Sequence, residues 1–138
     1  VRALNINGAE CGIYTVGEIL RIEFKVRFFE EIATVQAGIR LKTVEGVEAY
    51  GVSTENVGEN ISNVKKGSSC AFTFVLPMDL CEGTYFISVA IAEKVSPSEM
   101  RYLDKKSDVL IIKLKEKKIT ATGIAHLKAT VEYLLVEA

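Results

Sequence analysis

Leu20-Arg21-Ile22-Glu23-Phe24-Lys25-Val26-Arg27-Phe28 alternates large apolar and charged side chains without a break. Successive side chains of a strand point to opposite faces. A period of two therefore puts Leu20, Ile22, Phe24, Val26 and Phe28 on one side and the charged residues on the other. A helix would scatter the same residues around its circumference. The stretch is predicted to be a half-buried antiparallel strand, one face on a core and the other in water.

The same pattern spreads outward along the chain. Val35, Ala37, Ile39 and Leu41 alternate with Gln36, Gly38, Arg40 and Lys42. Glu45-Gly46 then turns the chain into Val47 to Ser53, the hairpin partner. Cys70, Phe72, Phe74 and Leu76 make another inward row, ended by Pro77. Glu82-Gly83 leads into Tyr85, Ile87, Val89 and Ile91, and Leu110, Ile112 and Leu114 form the next row. A strand near Ala3 to Ile6 opens the chain. Gly, Asn, Ser and Pro clusters separate these runs, and helical periodicity is nearly absent. Seven or eight short strands with regular turns predict an all-β, immunoglobulin-like antiparallel β-sandwich.

The last segment fits two templates. Leu127, Val131, Tyr133 and Leu135 suit a strand, and Ile124, Leu127, Val131, Leu134 and Leu135 suit a helix nearly as well. The strand is the expectation. The chain is read as one domain over 1–138, with a sandwich body over 1–118 and a C-terminal strand over 119–138. The charged run Lys113 to Lys118 reads as the connection between them.

Bulk properties narrow the function. With 138 residues, 49% hydrophobic and 25% charged, the chain can build one ordinary globular core. A net charge of −1 gives no bulk attraction to nucleic acid. No apolar run approaches the roughly 20 residues of a membrane helix. The opening residues do not read as a signal peptide, and the absence of an initial Met suggests a fragment of a longer protein. Cys11, Cys70 and Cys81 are odd in number and unpaired in spacing, which argues against a disulfide framework and for a reducing, cytoplasmic compartment.

Catalytic chemistry finds few candidates. His126 is the single histidine, far in sequence from the cysteines, and is read as a surface or interface residue. A nitrogen–sulfur zinc site would need more ligands. Asp104 with Asp108, and Glu30 with Glu31, are the closest acid pairs; acids at strand ends are ordinarily solvated turn residues. No phosphate-binding loop is present. The expectation is a recognition module that is not an enzyme, with no cofactor and no metal.

Two longer stretches carry a resemblance. One is Gly38-Ile-Arg-Leu-Lys-Thr-Val-Glu-Gly-Val-Glu-Ala-Tyr-Gly-Val-Ser-Thr54. The other, within Phe72 to Leu114, contains Phe74-Val-Leu-Pro, Glu82-Gly-Thr-Tyr-Phe-Ile-Ser-Val-Ala-Ile-Ala-Glu93 and Tyr102-Leu-Asp-Lys-Lys-Ser-Asp-Val-Leu110. In order and spacing they resemble the C-terminal carbohydrate-binding domain of Wzt-type proteins, the ATPase subunits of ABC transporters that export O-antigen polysaccharide. The resemblance implies an ATPase domain that this chain lacks, and a cytoplasmic module that recognises the polysaccharide, often at its modified non-reducing end. It implies a homodimer with exchanged C-terminal strands, contact with the transporter permease through the ATPase domain, and only indirect association with the inner membrane. The Tyr-Gly-x-x-Thr element appears as Tyr50, Gly51 and Thr54; Ser53 stands where many relatives carry Asn.

Sugars are held by aromatic faces and fixed polar groups on a shallow surface. Outward residues are Gln36, Gly38, Arg40 and Lys42 on one run and Phe86, Ser88, Ala90 and Ala92 on another. If the two runs neighbour each other, Gly38, Ser88 and Ala90 make a floor bordered by Arg40 and Phe86, and Arg40 can pair with an anionic group on the glycan. The candidate carbohydrate-binding residues are Gln36, Arg40, Lys42, Phe86 and Ser88 from these runs, Tyr50 and Thr54 as the resemblance implies, and Tyr102, with Tyr14 and Phe29 as the other aromatics at strand ends. The same small residues can instead make room for a packed partner strand. Val109 and Ile111, apolar on the second face of their strand, favour that reading, and Leu134 and Val136 of the tail would cover them. A structural dimerisation or protein-interaction domain is the alternative function.

Overall fold

The computed structural model describes residues 1–136; the final two residues of the expected C-terminal strand lie outside the described residues. Nine strands follow in order: β1 (Arg2–Leu4), β2 (Ile13–Thr15), β3 (Ile19–Arg27), β4 (Ile32–Thr43), β5 (Glu48–Ser53), β6 (Ile61–Val64), β7 (Ser69–Pro77), β8 (Gly83–Ser96) and β9 (Glu99–Lys115). They exceed the seven or eight expected because β2 and β6 are too short to show a period. The described residues contain no helix.

The strands form two sheets. One has the order β1-β3-β7, and the other the order β2-β9-β8-β4-β5 with β6 also on β4. All pairs are antiparallel except β2 with β9, which is parallel. The alternating stretch is β3, at the centre of the smaller sheet, and Leu20, Ile22, Phe24 and Phe28 are buried from it. The facing layer is supplied by Val35, Ala37, Ile39 and Leu41 of β4 and Tyr85, Ile87, Val89 and Ile91 of β8, all buried. Phe24 stacks on Phe72 with centroids 5.3 Å apart, joining β3 to β7.

Tyr14, a candidate sugar platform in the sequence, belongs to this core. It is 1% exposed, its hydroxyl donates to the Cys11 carbonyl at 3.2 Å, and burial pushes its phenol well above the usual range. Pairing with Leu114 turns it inward.

The charged run expected as a connection is in part the end of β9, which continues to Lys115. Beyond it the chain is pinned before it departs. The Cys81 N–H donates to the Ile124 carbonyl at 2.7 Å, and the His126 N–H to the Asp79 carbonyl at 2.9 Å. Of the two readings of His126, surface or interface, the surface one is not met: the residue is buried. Its Nδ1 accepts the Lys128 N–H at 3.2 Å, and its Nε2 lies 2.8 Å from Thr120 Oγ1 and 3.3 Å from Glu116 Oε2. The Thr120 N–H, above all, holds the Glu116 carboxyl below the usual range, with the Thr120 hydroxyl and His126 adding to it against desolvation.

After this anchor, residues 127–136 join no strand or helix. Leu127, Val131, Tyr133, Leu134, Leu135 and Val136 are each at least 75% exposed. Among the described residues, 127–136 of the expected C-terminal strand do not form a strand on their own chain: a strand needs an edge to pair with, and these residues meet none.

Candidate functional site

The register of β4 against β8 brings the predicted outward residues together. Gln36 stands opposite Ala92, Gly38 opposite Ala90, Arg40 opposite Ser88 and Lys42 opposite Phe86. Neighbouring strands extend each row. β9 sets Tyr102 beside Ala92, Lys105 beside Ala90 and Ile111 beside Phe86. β5 sets Ser53 beside Gly38 and Gly51 beside Arg40. Directly paired residues share a face, so these rows build the solvent side of the larger sheet.

A groove of about 310 Å³ runs over this face, near the small end of the usual range for ligand clefts. Gly38, Ser88 and Ala90 lie on its floor, with Gln36, Arg40 and Tyr102 around it. The floor is low because its residues are small. A Cβ added to Gly38 would stand 3.3 Å from the Val52 carbonyl oxygen, so the backbone of β5 closes directly on that glycine.

Polar groups at the rim are held in place. Arg40 Nε lies 3.7 Å from Glu48 Oε1. Ser88 Oγ accepts the Asp108 N–H at 2.8 Å, which leaves its own O–H as a donor. Asp108 sits in a β9 irregularity at φ 51°, a conformation Asp tolerates, and its carboxylate meets Lys42 Nζ at 3.1 Å. Lys105 Nζ lies 5.4 Å from the centre of the Tyr102 ring, on one face of it.

Four of the eight candidates, Gln36, Arg40, Ser88 and Tyr102, line the groove. Lys42 and Phe86 share the face but stand further along it, beside Ile111. Tyr50 does not join them. It pairs with the fully buried Leu41, so it stands on the core side at the edge of the sheet. Thr54 is structural: it is 7% exposed, its hydroxyl accepts the Ala37 N–H at 3.2 Å, and its N–H donates to the Ala37 carbonyl at 2.8 Å. Tyr102 lies within β9 rather than at a strand end.

Several groove residues escaped sequence reasoning: Glu48, Ser53, Asn56, Met100 and Lys105. Asn56 is the most telling. Its Oδ1 accepts the Ser53 N–H at 2.9 Å while its own N–H donates to Ser53 Oγ at 3.2 Å. This leaves the amide NH2 as the end it can offer a ligand. A side-chain amide thus reaches the groove from the turn after β5, although Ser53 itself has none. The Ser-x-x-Asn spacing was the available signal, as such turns are built from these residue types.

Among the described residues, no group of three His, Cys, Asp or Glu is placed to hold a metal ion. The expected acids Asp104 and Asp108 are solvent-exposed residues of β9.

An open polar groove on one face of a two-sheet sandwich defines a β-sandwich recognition module. The chain belongs to the Wzt C-terminal domain family, whose model matches residues 1–127. It is also similar to a solved structure described as "Crystal structure of the C-terminal domain of wzt", at 27% identity and a TM-score of 0.86, covering 96% of this chain and 80% of that one. No curated protein matches the chain. Family and fold support the carbohydrate-binding, ABC-exporter expectation drawn from the sequence.

Proposed function

We propose that this domain binds an O-antigen polysaccharide, at its modified non-reducing end, and so gives an ABC-type exporter its substrate specificity. The observation that carries the reading is the groove over Gly38, Ser88 and Ala90, rimmed by Arg40, Tyr102 and Asn56. An aromatic face beside fixed donors and acceptors, on a shallow preformed surface, suits a sugar chain. Arg40 reaches an anionic substituent by displacing or sharing Glu48, a contact of only 3.7 Å between exposed groups. The domain performs no chemistry; the ATPase domain of the longer protein does, from the cytoplasmic side of the inner membrane, and links the module to the permease.

The tail fits the second partner in this proposal, another copy of the chain. Its exposed apolar residues beyond His126 lack a partner edge, and Ile13, Val109 and Ile111 are exposed apolar residues on the solvent side of β2 and β9. Exchange of tails between two copies would supply both with a cover. In sedimentation, removal of residues 127–138 is expected to convert a dimer to a monomer.

The glycan reading is tested by calorimetric titration with the source organism's own O-polysaccharide. Binding that Arg40→Ala or Tyr102→Ala weakens, with the dimer intact, is the expected result. Absence of binding at millimolar glycan by folded, dimeric protein would overturn it. The domain would then be a dimerisation module, the second reading, for which the exposed tail is the supporting observation.

A further inference from the structure

We infer that the glycan-binding surface does not end at the groove but passes over Tyr102 into a second subsite, with Phe29 as its stacking platform. The inference rests on the glycan reading of the groove and extends it.

A second concavity, of about 490 Å³, lies between the end of β3 and the first half of β9. Tyr102 lines it and also lines the sheet-face groove, so the two share a lip and form one surface. The bend after β3 presents two consecutive phenylalanines in opposite roles. Phe28 enters the core at 4% exposure, whereas Phe29 is 78% exposed and borders the second concavity. Core packing does not account for Phe29.

The site around that ring is already arranged. The Arg27 guanidinium stands over the ring, 6.0 Å from its centre, while the Phe29 side chain stays largely exposed to solvent. Arg101 Nη2 lies 2.8 Å from Glu30 and 2.6 Å from Glu93. This pair of contacts ties the bend that carries Phe29 to the hairpin that carries Tyr102. The ordering cost on binding is thereby reduced.

The lining also selects the occupant. Lys25, Glu30, Arg101 and Asp104 surround the aromatic ring with charge. An apolar protein segment, including the tail of a second copy, would take the Glu30–Arg101 pair and the charges of Lys25 and Asp104 out of water and offer them no polar contact in return. A sugar instead offers its C–H face to the ring and its hydroxyls to the charged groups. Further residues of the polysaccharide already seated in the groove fit this surface.

The experiment titrates the 138-residue chain with intact O-polysaccharide from the source organism, and with one-repeat fragments that keep its modified non-reducing end, isolated after partial acid hydrolysis. The intact chain is expected to bind about tenfold more tightly than the fragments, the gain of one good aromatic contact. Phe29→Ala should erase that excess and leave fragment binding unchanged, and Phe29→Trp should retain it. Tyr102→Ala should weaken both ligands. Equal binding of intact polysaccharide by wild type and Phe29→Ala would overturn the second subsite while leaving the groove standing. A dimer lost on Phe29→Ala with fragment binding intact would do the same, making Phe29 an interface residue. Failure of the wild-type chain to bind either ligand would overturn the glycan reading itself.

Discussion

The two faces of the larger sheet are built from the same strands and have opposite compositions. Toward the smaller sheet, β4 and β8 present Val35, Ile39, Leu41, Ile87 and Ile91, none more than 5% exposed. Away from it the same strands present Gln36, Gly38, Arg40, Ser88 and Ala90 over a groove. The inner face is filled because every void there costs transfer and packing energy. The outer face stays low and polar: Gly38, where the β5 backbone closes in, and the small Ser88 and Ala90 leave the groove open above them. The difference teaches that this sheet uses one face for folding and, on the proposed function, keeps the other for recognition.

That division breaks most severely on the inner face. Ile87 is fully buried between the sheets. Ile87→Ala should cost about 2–5 kcal/mol, read as a shifted urea midpoint. A loss below about 0.5 kcal/mol would show the core to be loosely packed there and the contrast overstated. Gly38→Val comes next and tests the opposite face. Its side chain meets the Val52 carbonyl, so a cost of about 1–3 kcal/mol is expected together with loss of glycan binding. Unchanged glycan binding by the folded variant would place the ligand elsewhere.

Tyr85 sharpens the comparison through pH. It is buried on the inner face, its hydroxyl donates to the Cys81 carbonyl at 2.7 Å, and burial, with a smaller effect of Cys81, raises its pKa. A phenol whose folded pKa lies above its unfolded value contributes stability in full below about pH 10 and loses it as pH rises further. Denaturation midpoints should fall above about pH 10. Tyr85→Phe should cost about 1 kcal/mol at neutral pH and flatten that alkaline limb. The smallest effect belongs to the groove rim. Arg40 is largely solvated beside Glu48, so Arg40→Ala should change stability by no more than about 0.5 kcal/mol while weakening glycan binding. A large stability loss would make Arg40 a structural residue and remove it from the site.

Much of the sandwich was legible because a half-buried strand writes its burial directly into period-two alternation. Leu20 to Phe28 and the inward rows of β4 and β8 needed no partner to be recognised. Short strands were not: three residues of β2 contain too little pattern, and Tyr14 read as a loose aromatic although β9 turns it into the core. The groove was half legible. Alternation assigned Gln36, Arg40 and Ser88 to the outer face. Tyr50 was a candidate through the resemblance alone, and its pairing with the buried Leu41 puts it on the other face.

Local sequence thus determined which residues face a core, because that choice follows from side-chain chemistry and strand geometry alone. Only the tertiary structure decided which outward residues meet. Arg40 beside Ser88 and Tyr102 beside Ala92 depend on strand order and bulges that no single segment encodes. The tail marks the same boundary from the other side. Its apolar residues are evident in the sequence, and its anchor at His126 and Ile124 appears only when Asp79 and Cys81 are brought beside them, since a backbone hydrogen bond requires both partners in place.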